Sequence, residues 1–181
     1  MEHIDINSLP SHQLKFSICT LVTDFAEYEE MKNSFLKNGF KDCEFLIADN
    51  SKGNQFDAYK AIRKFFNVAK GKYLIICHQD ILIKDNTTKL EKSLEELNTK
   101  HPNWAIAGNA GGKHIKGVVK HLINHDNSVS TFSPLPVRVF SVDENFIVVD
   151  KEKFSSVSNN LNGFHFYGTD LCLLADIQGY E

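Results

Sequence analysis

Lys72 to Ile83 reads KYLIICHQDILI, an apolar run without polar alternation that is interrupted by His78-Gln79-Asp80. Such a run describes a strand buried on both faces. Two earlier stretches match it, Lys15 to Val22 (KFSICTLV) and Cys43 to Ala48 (CEFLIA). Between the first two lies AEYEEMKNSFLKNGF, which sets Tyr28, Met31, Phe35 and Leu36 on one stripe. It follows a capping pair, Thr23-Asp24, and ends at Asn38-Gly39. Between the second and third runs, the turn-prone Asp49-Asn50-Ser51-Lys52-Gly53 leads into QFDAYKAIRKFFNVA, with Ala58, Ile62, Phe65 and Phe66 on one face. Strand and helix thus alternate. The pattern predicts an α/β fold whose parallel sheet is covered on both faces, with its ligands at the carboxyl edge of the strands.

Further along, Thr87 to Leu97 predicts a helix with Leu90, Leu94 and Leu97 on one side, and Trp104 to Ala107 a strand followed by the glycine-rich Gly108 to Gly112. Lys113 to Pro136 carries scattered His, Asn and Ser and reads as an irregular excursion or a hairpin. His114, His121 and His125 are read as decorating a solvated loop. VRVFS and NFIVV predict two strands joined around Val142-Asp143-Glu144, and a last helix starts near Thr169-Asp170.

The 181 residues, 42% hydrophobic and 24% charged, suit one domain with one sizeable core. A net charge of -3 leaves no general footprint for a polyanion, so nucleic acid is not an expected partner. No apolar run is long enough to cross a bilayer, and the N-terminus lacks the pattern of a signal peptide, so the expected location is cytoplasmic. The four cysteines are widely spaced, with no C-x-x-C pair, and read as small buried hydrophobes. Phosphate-loop, dinucleotide-fingerprint, nucleophile-elbow and zincin motifs are all missing.

Three groups of residues can carry chemistry. Asp80 supplies an oxygen ligand for a hard cation where the third strand emerges; the competing reading makes it a cap and His78 a satisfied half-buried histidine. Asp49-Asn50-Ser51 suits a base or ribose, or is ordinary turn chemistry. In GFHFYGTDLCLLADIQGY, Asp170 is a general base or a helix cap, with Thr169 the rival cap, and Phe164, Phe166 and Tyr167 are a stacking platform or packing.

Taken in order, FSICTLVTD, FLIADNS, GKYLIICHQDILI, FIVVDKEKF and FHFYGTDLCLLADIQGY resemble the family 2 glycosyltransferases from about Phe16 to the C-terminus. The closest branch writes the usual D-x-D as H-Q-D. The resemblance implies a GT-A fold: a Rossmann-like, mostly parallel sheet with helices on both faces and a small antiparallel addition near the C-terminus. The polar stretch ahead of Lys15 is read as a leader over residues 1–14, and residues 15–181 as a single domain of that fold. The implied activity is metal-dependent transfer of a sugar from a nucleotide-sugar donor to a glycan or other hydroxyl acceptor, with inversion and with Mn²⁺ or Mg²⁺. Carried over by position, Thr20, Val22, Thr23, Asp49, Asn50, His78 and Gln79 hold the nucleotide and Asp80 the metal. His165 and Tyr167 meet the acceptor, and Asp170 is the base. An alternative register puts Gly168 at the base position. That register, the histidine of H-Q-D and the end at Gly179-Tyr180-Glu181 motivate a second expectation, a weak or inactive nucleotide-sugar or glycan-binding module. A homodimer is a further expectation, from exposed edge strands and many phenylalanines.

Overall fold

The computed structural model describes residues 12–114, 117–124, 126–131 and 134–181. The chain begins with β1 (Leu14–Val22), α1 (Phe25–Lys37), β2 (Cys43–Asp49), α2 (Ala58–Val68), β3 (Gly71–Cys77) and α3 (Thr87–Lys100). Each helix start has a physical cause. Asp24 accepts from Ala26 N and Glu27 N at the head of α1, Asp57 accepts from Lys60 N at α2, and Asn86 accepts from Lys89 N at α3. Gly39, at φ +88°, sits in the left-handed region just past the end of α1. Of the predicted stripe on α1, Tyr28, Met31 and Phe35 are buried while Leu36 stays half in solvent.

The remaining elements are β4 (Ile106–Gly108), β5 (Ala110–His114), β6 (Gly117–Ile123), β7 (Val129–Thr131), β8 (Ser141–Val142), β9 (Phe146–Asp150) and α4 (Tyr167–Ile177). They form two sheets, a five-stranded one in the order β2-β1-β3-β9-β4 and a four-stranded one in the order β7-β6-β5-β8. This overturns the expected Rossmann-like GT-A sheet. Among the described residues only β1–β2 and β1–β3 pair parallel; β9 runs antiparallel to both β3 and β4, and the described strands of the second sheet all pair antiparallel. The antiparallel part is therefore no small addition near the C-terminus. An apolar run reports burial on both faces but carries no strand direction, so the sequence pattern does not show that β9 runs against its neighbours.

Two smaller expectations change with it. VRVFS and NFIVV do not form neighbouring strands: only Ser141–Val142 is extended, and it joins the second sheet while β9 enters the first. His114 and His121 belong to β5 and β6, and His125 lies outside the described residues. Most of the expected leader, residues 1–11, also lies outside them, and Leu14 is already the first residue of β1.

Alternate residues of β1 and β3 enter two separate cores. Phe16, Ile18, Tyr73 and Ile75 pack with Tyr28, Met31 and Phe35 of α1, Leu94 of α3 and Trp104. Cys19, Leu74 and Ile76 pack with Tyr59, Ile62 and Phe65 of α2 and with Leu171 and Ala175 of α4. Burial drives several acids upwards: the Cys77 thiol to about 12, Cys19 well above its usual value, and the Tyr28 phenol to about 12. The unfolded chain releases these protons at about 9 for thiols and 10 for phenols. The contribution to stability is thus complete below about pH 9 and is lost as pH rises towards 12, where unfolding sheds protons that folding retains. Denaturant midpoints measured from pH 8 to 11 are expected to fall continuously above pH 9. A flat profile over that range would contradict the burial of these groups.

Candidate functional site

Because β1 is flanked by β2 on one side and β3 on the other, the chain crosses over in opposite directions from it. The carboxyl ends of the three parallel strands therefore meet at one edge. Thr23, Asp49-Asn50 and His78-Gln79-Asp80 all emerge there, and each side chain has a distinct surrounding.

Gln79 is tied into the scaffold. Its Oε1 accepts from Thr23 N at 2.7 Å and Asp24 N at 3.1 Å, and its Nε2 donates to Thr23 Oγ1 at 3.0 Å and Glu27 Oε2 at 2.8 Å. The side chain thereby closes the gap between the end of β3 and the start of α1. Asn50 is tied in likewise, donating from Nδ2 to Phe56 O and accepting at Oδ1 from Phe56 N, which ties off the loop after β2. Thr20 is buried between strands with its Oγ1 3.5 Å from Cys77 Sγ, and Val22 is core. These residues build the walls of the edge.

The exposed groups are fewer. Asp49 Oδ1 accepts from Ser51 N at 2.9 Å and Ser51 Oγ at 2.7 Å, and these bonds hold its carboxyl below the ordinary range, so it is ionised at neutral pH. The turn reading and an available carboxylate thus coexist in one residue, since Oδ2 takes no part. Asp80 is exposed, and no hydrogen bond or ion pair within the described residues engages it. Thr23 and His78 are exposed at the same edge.

At the head of α4, Tyr167 is buried, which pushes its phenol strongly up, and its hydroxyl donates to Glu144 O at 3.1 Å. That leaves the oxygen as an acceptor 3.4 Å from His78 Nε2, linking the end of β3 to α4. Asp170 is buried and acts neither as an N-cap nor as an open carboxylate. Its Oδ2 accepts from Ser158 N at 2.8 Å and its Oδ1 from Ser158 Oγ at 2.6 Å. The capping acceptor of α4 is Glu144, whose Oε1 receives Gly168 N at 3.2 Å. Phe166 precedes the helix at φ +67° and is 77% exposed. A bulky residue in the left-handed region is strained, and such strain gathers at functional sites. His165 is exposed next to it, and its carbonyl accepts from Tyr59 OH at 3.3 Å.

The structure therefore brings Thr23, Asp49, His78, Gln79 and Asp80 to one edge and joins it, through His78 and Tyr167, to the segment bearing His165 and Phe166. Sequence reasoning missed Glu144 and Ser158. Both lie in polar connecting stretches where no periodicity marks them, and their partners are 24 and 12 residues away. Among the described residues, no three or more His, Cys, Asp or Glu side chains converge to hold a metal ion by themselves. No helix there is long and apolar enough to cross a membrane.

These features define a mixed α/β domain with a polar, partly strained edge built on three parallel strands. No known protein-family profile matches the chain. A protein of Fuscovulum blasticum named "ATP synthase subunits region ORF 6" is 35% identical over 175 residues, covering 92% of this chain and 70% of that protein. The chain belongs to the family of that protein. The relative's name corrects the expected function, because it describes an open reading frame of an ATP synthase subunits region and not a glycosyltransferase. Sugar transfer is not retained, and neither is the nucleotide-sugar or glycan-binding alternative.

Proposed function

We propose that the carboxyl edge of β1, β2 and β3 binds a nucleoside diphosphate together with a divalent cation, Mg²⁺ or Mn²⁺. The observation that carries this reading is Asp80, an exposed and unengaged carboxylate at the crossover edge, beside a Gln79 held fast by four hydrogen bonds. A single carboxylate is enough when the ligand's own phosphates complete the coordination, which is how Mg²⁺ is usually held. Asp49, ionised and exposed, suits a ribose or base at the neighbouring strand end. The four cysteines are free, which fits a reducing compartment and supports a cytoplasmic location.

Thermal unfolding with UDP, GDP and dTDP, each with and without the cation, tests the reading. One nucleotide is expected to raise the midpoint only when the cation is present, by the equivalent of about 2.7 kcal/mol at a hundredfold excess over its dissociation constant. Asp80→Ala is expected to abolish the shift while leaving the ligand-free midpoint unchanged. A nucleotide effect that survives in Asp80→Ala, or the absence of any effect in the wild type, sinks the proposal.

A further inference from the structure

β2 ends the five-stranded sheet, and among the described residues no strand pairs with its outer side. Two bonds at its ends tell which backbone groups face outwards: Phe16 N donates to Asp42 O, and Asn50 N donates to Val22 O. Groups facing one neighbour recur every second residue. Glu44, Leu46 and Ala48 therefore face β1, while Cys43, Phe45, Ile47 and Asp49 turn N–H and C=O towards open space.

Little blunts this edge. Its centre is Phe45-Leu46-Ile47-Ala48, it contains no proline, and Ile47 is 41% exposed. Alongside runs an apolar cleft of about 200 Å³ lined by Leu46, Ile47, Phe56 and Val68 among others, with Val68 58% exposed. Long apolar edges of this kind pair with another strand unless something covers them.

The edge is complementary to itself in one register. Laid antiparallel against a copy with Phe45 on the two-fold axis, Cys43 stands opposite Ile47 with their outward groups matched. Lys41, just ahead of the strand, then falls level with Asp49 of the copy, twice by symmetry. Lys41 is exposed and makes no ion pair among the described residues, while Asp49 is an exposed carboxylate held only by Ser51. Centring the pair on Leu46 also matches outward groups, but it sets Cys43 against Asp49 and Lys41 against Ser51, and both ion pairs are lost. We propose that a second copy of this chain docks antiparallel along β2 in the Phe45-centred register, joining the two five-stranded sheets into one.

Sedimentation equilibrium and a cross-link test this together. The wild type is expected to show a reversible monomer–dimer equilibrium. Lys41→Glu should weaken it about tenfold, by turning two attractions into repulsions, and Lys41→Glu with Asp49→Lys should restore it. Ile47→Cys, treated with oxidised glutathione, is expected to form a covalent dimer through the native Cys43, lost when Cys43→Ser is added. Paired residues of an antiparallel ladder lie about 5.5 Å apart at Cα, within disulfide reach. Ile47→Pro removes an outward N–H without touching the β1 ladder and should give a folded monomer by circular dichroism. A wild type that stays monomeric into the millimolar range overturns the proposal, as does a dimer that persists in folded Ile47→Pro. A cross-link through Asp49→Cys instead of Ile47→Cys overturns the register.

Discussion

Gly71→Ala is expected to destabilise the protein by about 3 kcal/mol or more, a cost typical of strong overpacking where the backbone itself must move. A Cβ placed at residue 71 would lie 2.4 Å from both Phe16 C and Ser17 N, backbone atoms of the adjoining strand. The strands have little room to part there. Gly71 N donates to Ser17 Oγ at 2.8 Å, Ser17 Oγ donates to Glu44 Oε1 at 2.6 Å, and that same oxygen accepts from Lys70 N at 2.6 Å. Three strands are pinned at one corner by a chain of hydrogen bonds that a separated pair would break. Urea unfolding of Gly71→Ala beside Gly53→Ala checks the cause. Gly53 has nothing within 4 Å of its would-be Cβ and only an unfavourable φ of +118°, so its substitution should cost about 1 kcal/mol. Equal losses in the two variants would show that close approach at Gly71 is not what limits it.

Asp170→Ala is expected to cost about 2–3 kcal/mol, the range for hydrogen bonds to a charged group whose partners are left unsatisfied. The carboxylate is buried and receives both the backbone N–H and the hydroxyl of Ser158, so it is the link between the loop after β9 and the first turn of α4. Its charge also sits near the positive end of that helix. Ser158→Ala removes only the hydroxyl bond and should cost about 1 kcal/mol. The double variant should lose less than the sum of the two, because they share one interaction. Strict additivity in chemical denaturation would show that the Asp170–Ser158 contact contributes nothing of its own.

The two residues illustrate why parts of the site were hidden in the sequence. Asp170 is conspicuous there, a carboxylate ahead of an apolar helix, and general base and helix cap were both reasonable readings of its position. Its actual partner is a serine in SSVSNN, a stretch with no pattern to single out Ser158 from its neighbours. Gln79 shows the same limit from the other side. As a polar residue at a strand end it invites a ligand, yet its amide is engaged by Thr23, Asp24 and Glu27, more than fifty residues earlier. Asp80 beside it has the same local sequence context and remains unengaged. Only the positions of distant backbone groups distinguish the two.

By itself the sequence determined the elements that depend on near neighbours. The strands β1, β2 and β3 follow from apolar runs, and the helices α1, α2 and α3 from stripes spaced along one face, with the cap at Asp24 marking the start of α1; the caps at Asp57 and Asn86 became visible only in the structure. Their order placed Asp49 and Asp80 at strand ends, and hydrogen bonds or side-chain periods within a few residues suffice for all of this. The tertiary structure alone decided strand direction and partnership: that β9 inserts antiparallel between β3 and β4, that residues 110 to 142 build a separate sheet, and that Glu144 caps α4. The physical reason is that a strand's side-chain period is the same whichever way its neighbour runs, while direction and hydrogen-bond partners are set by contacts between residues far apart in the chain.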